Sequence, residues 1–247
     1  MTTIPNNNVS LSNLCVQMGV ATTSPFSLSK LYDATNVVGA TIPARGNPLS
    51  QGIFRGVTRY YDFPPAAMTA NTTTFSGLQY GNGTYTVSTA SLYPGSQFYF
   101  GFDSNNTTYL DTAYPLYDST TGNYAGSVST SLQGGGSVSG EYIQINLPVP
   151  IVVTAIKVFP RNTYSKRLPG NFTMCASSDG ITWKQVATYT NAVYTEGTWN
   201  TVYITNSDTN GYKYWRCVVT RNSVGSTTGN YGNITLFEMR FVGYQTP

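Results

Sequence analysis

The sequence predicts an all-β, antiparallel sandwich over its last three-quarters, preceded by a short arm, and three observations predict it. Charged residues are only 9% of the chain while Tyr, Thr, Asn, Ser and Gly dominate, and the hydrophobic share is an ordinary 40%, which gives a β-rich, uncharged-polar surface rather than a disordered chain. From Tyr60 to Tyr244 short apolar runs alternate with polar residues at period two, the pattern of half-buried strands. Gly, Asn, Ser and Pro punctuate those runs where a sandwich needs turns. A chain of 247 residues is long enough for one well-buried domain and an appendage. The division expected is an arm over 1–56 and a sandwich over 57–247.

The arm carries a degenerate repeat, Val9-Ser10-Leu11-Ser12, Phe26-Ser27-Leu28-Ser29 and Asn47-Pro48-Leu49-Ser50. Ser10 can cap a short helix with Leu11, Leu14, Cys15 and Met18 on one face, and Gly19 is placed to end it. Ser27 can do the same for a shorter helix bearing Leu28, Leu31 and Tyr32. Helices this short are marginal alone. Their apolar faces need a partner's groove or the chain's own sandwich, and docking on a partner through Leu11, Leu14, Met18, Leu28, Leu31 and Tyr32 is the preferred expectation.

In the second half, Ile143, Ile145 and Leu147 alternate with Gln144 and Asn146; Val152, Ile156 and Val158 share a face, as do Phe172, Met174 and Ala176. Trp215, Cys217 and Val219 alternate with Tyr214, Arg216 and Val218, and a closing strand puts Phe237, Met239 and Phe241 inward. Turns are expected at Pro148-Val149-Pro150, Ser178-Asp179-Gly180 and Asn210-Gly211, and a loop at Gly134-Gly135-Gly136.

The chain has no histidine, which removes the commonest general base and the commonest zinc ligand together. A net charge of +3 is spread along the chain, with Lys166-Arg167 the only adjacent basic pair, so no basic stripe tracks phosphates and nucleic acid is not expected as a partner. Cys15, Cys175 and Cys217 are an odd number at long spacings, favouring thiols kept in a reducing cytosol, with a Cys175–Cys217 bridge as the alternative. The N-terminus lacks a charged start followed by an apolar run, and no stretch approaches ~18 apolar residues, so neither classical secretion nor a membrane span is expected. Sequons begin at Asn71, Asn82, Asn105, Asn106, Asn171 and Asn233; in a chain this rich in Asn and Thr, chance accounts for them.

Over about 185 residues a series of motifs appears in order. They are Gly140-Glu141-Tyr142-Ile143-Gln144-Ile145-Asn146-Leu147, Ile156-Lys157-Val158, Phe172-Thr173-Met174, Ser177-Ser178-Asp179-Gly180-Ile181-Thr182-Trp183, Tyr212-Lys213-Tyr214-Trp215-Arg216 and Phe237-Glu238-Met239. The series resembles the discoidin, or coagulation-factor C-type, domain, which implies a galactose-binding-like jelly-roll sandwich. Gly101-Phe102-Asp103-Ser104-Asn105-Asn106-Thr107-Thr108-Tyr109-Leu110 is similar to the family loop that holds a structural Ca²⁺ in many members, with Ser104 standing for a glycine and Leu110 for a tryptophan. The resemblance implies Asp103, Asn105, Thr108 and Glu238 as ligands, a hard-oxygen set suited to that ion. Members mostly bind sugars, lipid headgroups or proteins through loops at one end. On that analogy Tyr109, Tyr114, Tyr117, Arg161, Tyr164 and Arg167 are the candidate carbohydrate-binding residues.

The arm's repeats resemble runs found in structural proteins of tailed phages and of large DNA viruses of algae, and so does Tyr61-Asp62-Phe63-Pro64-Pro65-Ala66-Ala67-Met68-Thr69. The resulting expectation is a non-enzymatic virion structural protein, a minor capsid, fibre or tail component assembled in the host cytoplasm. It would dock on other virion proteins through residues 1–56. The alternative is a carbohydrate-binding adhesion module for host attachment. Asp103, Asp111, Asp118, Glu141, Asp179, Glu196 and Glu238 could supply a glycosidase pair, but no motif announces one, and no phosphate loop or nucleophile elbow is present.

Overall fold

The strands form where β-branched and aromatic residues alternate with Thr, Ser and Asn, as a pleated, half-buried surface favours. The computed structural model describes residues 37–38, 58–205, 208–223 and 232–245. The chain divides into one unit of Met1–Tyr61 with Tyr244–Pro247 and another of Asp62–Gly243. In the first, β1 (Val37–Val38) pairs antiparallel with β2 (Thr58–Arg59). The arm helices expected around Leu11, Leu14 and Met18, and around Leu28, Leu31 and Tyr32, lie outside the described residues.

The strands lying wholly or mostly in the second unit are β3 (Tyr61–Phe63), β4 (Thr72–Phe75), β5 (Gly83–Thr89), β6 (Leu110–Asp111), β7 (Ser129–Ser131), β8 (Ser137–Ser139) and β9 (Glu141–Phe159). It continues with β10 (Pro169–Ser177), β11 (Lys184–Tyr189), β12 (Asn200–Tyr203), β13 (Tyr212–Asn222), β14 (Thr235–Leu236) and β15 (Glu238–Gln245). The main sheet runs β11-β10-β13-β9-β15-β3, with β5 and β12 also on β9 and β4 on β5. The pairs β1–β2, β4–β5, β5–β9, β6–β14, β7–β8, β9–β12, β9–β13, β10–β11 and β10–β13 are antiparallel, and among the described residues no helix is long and apolar enough to cross a membrane.

β9 makes the sandwich. Its first part pairs with β13 on one side and β5 on the other, through Ile143↔Cys217 and Ile145↔Val87. Its last part pairs instead with β12, through Ile156↔Val202. Between them Pro148 and Pro150 lack the N–H that a ladder needs. The β13 register accordingly jumps from Asn146↔Tyr214 to Ile151↔Tyr212. The predicted turn at Pro148-Val149-Pro150 is therefore a corner within one strand that passes from one layer to the other.

Ile143, Ile145, Phe172, Met174, Trp215, Cys217, Met239 and Phe241 are all fully buried between the layers, each apolar side chain contributing about 1.5–3 kcal/mol. Phe237 is only half-buried, against Phe159. The outer face of β10 and β13 is covered too. Cys175 and Val218 pack with Trp183 under Leu132, Val138, Tyr142 and Tyr214, and the Arg216 guanidinium lies between the Tyr142 and Trp183 rings, 3.9 and 4.1 Å from their centres. The β7–β8 hairpin supplies this cover, and its Gly134-Gly135-Gly136 loop adopts positive φ throughout. That second layer is why Thr173, Cys175 and Ser177 are buried as well as their apolar neighbours.

The Ser177-to-Trp183 turn closes β10 on β11. Asp179 Oδ1 accepts from the N–H groups of Ile181 and Thr182 at 2.8 Å each, and Ser177 Oγ accepts from Gly180 N at 2.9 Å. Those donors hold the Asp179 carboxyl down at about 2. A Cys175–Cys217 bridge is ruled out by register. Cys217 lies opposite Met174 and Cys175 opposite Arg216, which puts the two thiols on opposite faces of the sheet. Both are free and buried, and burial pushes the Cys175 thiol up to about 12.

Candidate functional site

Three segments meet at one end of the sandwich: residues 93–111, the loop 160–168 that follows β9, and residues 232–236. The β6–β14 ladder joins the first to the third through Thr235↔Asp111 and Leu236↔Leu110. Buried hydrogen bonds extend that joint, with Thr112 N donating to Ile234 O at 3.0 Å and Asn233 Nδ2 to Thr112 O at 3.0 Å. A 3₁₀ turn over Ser165–Arg167 shapes the middle segment, and Glu196 accepts from Thr163 N and Ser165 N to hold it.

On this base four side chains stack. The Arg161 guanidinium lies 3.4 Å from the Tyr109 ring centre and 4.6 Å from that of Tyr164, and the Arg167 guanidinium lies 4.7 Å from the Tyr164 ring centre. Arg161 Nη1 also donates to Asp111 Oδ2 at 3.4 Å and to Thr235 Oγ1 at 3.5 Å, and Arg167 Nη1 to Asn233 Oδ1 at 3.0 Å. Beside the stack a cavity of about 300 Å³ is lined by Tyr93, Ser96, Phe100, Thr107, Thr108, Tyr109 and Asp111 among others.

Asp111 is the unusual member. It is buried, and its Oδ1 has no hydrogen-bond partner, although an unsatisfied buried carboxylate oxygen costs about 1–3 kcal/mol or more. Burial raises its carboxyl above the ordinary range, with the Thr235 hydroxyl, the Arg161 and Arg167 charges and Asn233 pulling it back. Ser96 Oγ fixes the strand at this point, accepting from Asp111 N at 2.9 Å and donating to Tyr109 O at 3.2 Å. A cavity with aromatic walls and a carboxylate acceptor, next to a guanidinium stacked on one of those walls, suits a polyhydroxylated ring, whose C–H face stacks while its hydroxyls bond at the edge.

Of the six residues expected to bind carbohydrate, Tyr109, Arg161, Tyr164 and Arg167 are brought together. Tyr114 is half-exposed and lies on Gly232, where an added Cβ would come within 1.8 Å of its ring. Tyr117 is corrected outright: it is buried, its hydroxyl donates to Val219 O at 3.0 Å and its ring packs on Tyr124, so it cannot meet a ligand. Tyr93, Ser96, Phe100, Asn233 and Thr235 were not anticipated.

The expected Ca²⁺ residues also converge, with different chemistry. Asn105 N donates to Asp103 Oδ1 and to Glu238 Oε1, both at 3.0 Å. Thr108 Oγ1 donates to Asp103 Oδ2 at 2.7 Å. The Asn105 side chain turns away and accepts from Thr107. The last carboxylate oxygen, Glu238 Oε2, accepts from Arg240 Nη1 at 2.6 Å, and Arg240 Nη2 donates to Ser104 Oγ at 2.8 Å. Burial pushes the Glu238 carboxyl up to about 7 against the pull of Arg240, with Asp103 pushing it further. Ca²⁺ wants six to eight oxygens aimed inward, whereas here each carboxylate oxygen already meets an N–H or O–H. The donor set does not fit the ion. Among the described residues no group of three or more His, Cys, Asp or Glu is placed to hold a metal.

No protein-family model matches the chain, and no curated protein does. Among solved structures it is similar to the family 32 carbohydrate-binding module of Clostridium perfringens NanJ in complex with galactose, at 16% identity and a TM-score of 0.41, covering 64% of this chain and 93% of that one. It is similar to the C-terminal domain of a Bacteroides fragilis chitobiase, at 16% identity and a TM-score of 0.43, covering 66% and 95%. It is also similar to a family 89 glycoside hydrolase of Clostridium perfringens in complex with GlcNAc-α-1,4-galactose, at 16% identity and a TM-score of 0.42; the match covers 66% of this chain and 14% of the enzyme's.

Proposed function

We propose that this chain is a non-enzymatic carbohydrate-binding module that seats a sugar ring at the loop end formed by residues 93–111, 160–168 and 232–236. The observation that carries the reading is Asp111: a buried carboxylate oxygen left without a partner, beside a cavity walled by Tyr93, Phe100 and Tyr109 and next to the Arg161 guanidinium. The Asp111 side chain, 11% exposed, offers a carboxylate acceptor at the cavity wall, and the Tyr93 ring, 48% exposed, offers a stacking face.

The virion structural role expected from the repeats and from Tyr61–Thr69 places its docking residues in 1–56, of which only Val37–Val38 are among the described residues, and nothing in the described fold favours it over the sugar-binding reading. The test is a glycan array probed with the full chain, followed by Arg161→Ala, Tyr109→Ala and Asp111→Asn against whatever is captured. Binding weakened by all three supports the assignment. Silence across the array, or binding that all three leave intact, defeats it.

A further inference from the structure

The loop carrying Asp103 and the last strand carrying Glu238 bring two carboxylates together, and two like charges at one buried place demand a compensating cation. That cation is already in the sequence, two residues along the same strand. In β15 alternate side chains share a face, so Met239 and Phe241 enter the core while Glu238 and Arg240 both turn toward the 102–108 loop. Arg240 is only 7% exposed, and its Nη1 donates to Glu238 Oε2 at 2.6 Å and to Met239 O at 2.8 Å. Its Nη2 reaches Ser104 Oγ at 2.8 Å. That contact explains why a serine stands here despite a left-handed φ of 57°, a conformation that costs a non-glycine residue about 1 kcal/mol or more. The hydroxyl that a glycine would lack is the one that closes the guanidinium's fork.

We propose that Arg240 is a built-in cation, stapling the 103–108 loop to the closing strand in place of a metal ion, so that the loop and the cavity wall it supplies through Thr107 and Thr108 are independent of Ca²⁺. The guanidinium, unlike a divalent ion, cannot be lost by dilution or chelation. It also occupies Glu238 Oε2, an oxygen that a metal would otherwise take.

The test uses the full chain and needs no sugar. Ca²⁺ is titrated calorimetrically into chelator-treated protein, and Tm is recorded with Ca²⁺ and with chelator. The staple predicts no stoichiometric binding heat and a Tm that is the same in both buffers. Arg240→Met should lower Tm by about 10 °C, because a buried carboxylate loses its partner, and adding Glu238→Gln to Arg240→Met should recover part of that loss. One equivalent of Ca²⁺ bound, or a Tm that falls on chelation, overturns the proposal from the unmodified protein alone, even if the variants do not fold. Arg240→Met as stable as the parent, or no recovery in the double variant, overturns the charge pairing.

Discussion

Arg216 gives the most demanding prediction about how this fold is held together, because it works on the outside of the sheet rather than in the core. Its guanidinium lies between the rings of Tyr142 and Trp183, donates from Nε to Gln144 Oε1 at 2.5 Å, and donates from Nη1 to Thr130 Oγ1 at 3.2 Å. Two cation–π contacts of about 1 kcal/mol each and two hydrogen bonds from a charged donor, each of about 1 kcal/mol or more, put the gross loss for Arg216→Ala near 4 kcal/mol. Partial solvent access at the guanidinium reduces that to about 3 kcal/mol. Arg216→Lys keeps the charge but loses the planar face and the fork, so it should recover less than half of the loss. The assay is urea unfolding followed by tryptophan fluorescence, in which Trp183 reports its own uncovering. A loss below about 0.5 kcal/mol for Arg216→Ala, within the ordinary range for a surface change, or full recovery by lysine, would refute the view that a stacked guanidinium holds the outer layer to the sheet.

Further predictions follow from other buried groups. Glu141 is fully buried, takes hydrogen bonds from Ser91 N and Oγ at 2.9 and 3.0 Å, and is pushed up to about 7 mainly by desolvation. Between about pH 4.5 and 7 the folded state keeps a proton that the unfolded chain has released, so stability should fall by about 1–3 kcal/mol as pH rises through that window. Glu141→Gln should flatten part of the slope in pH-dependent urea unfolding, with Glu238 and Asp111, whose carboxyls burial also raises, supplying the remainder; a stability that rises over this range contradicts the assignment. Gly170→Ala should cost about 2–3 kcal/mol, since a Cβ there would come within 2.4 Å of Asn222 O and 2.6 Å of Ser223 Cα, both backbone atoms that cannot swing aside; unchanged thermal unfolding would show that β10 and β13 can part. In a Cys15→Ser background, Cys175 and Cys217 should stay unlabelled by a thiol reagent until urea unfolds the chain, and labelling in the native state would contradict their burial.

What the sequence made legible is what alternation and turn chemistry carry. Ile143, Ile145 and Leu147 in β9 and Trp215 and Cys217 in β13 stand where period two places them, and the Asp179-Gly180 turn is visible because an aspartate followed by glycine needs no tertiary help. Alternation fails where both faces are covered, as in β9 from Ile151 to Val153, all three buried. The corner at Pro148 and Pro150 resembles a turn in sequence because proline breaks the ladder either way. In the candidate site, Tyr109 was reachable because it lies in the 101–110 loop that resembles a family motif, and Arg161, Tyr164 and Arg167 because they fall in the loop between two readable strands. Asp111 was not distinguished from six other carboxylates, since its isolation comes from β14, more than a hundred residues away. Tyr117 shows the converse: its hydroxyl partner, Val219 O, lies on a distant strand that no local pattern reveals. Arg240 left a readable signal in the two-residue spacing from Glu238, but the resemblance to a metal-binding loop drew attention to the carboxylates and away from the base beside them.

The central claim is that the end of the sandwich bearing Asp111 and the Tyr109–Arg161–Tyr164 stack is a sugar site. Its most direct test is isothermal titration of the full chain with the glycan that an array ranks first, repeated on Arg161→Ala. The account predicts saturable binding to the parent protein, weakened about tenfold or more in the variant, which is the loss of roughly 1.4 kcal/mol expected when one charged donor and its stacked ring are removed. Equal affinity in parent and variant, or no glycan bound at all, would contradict it.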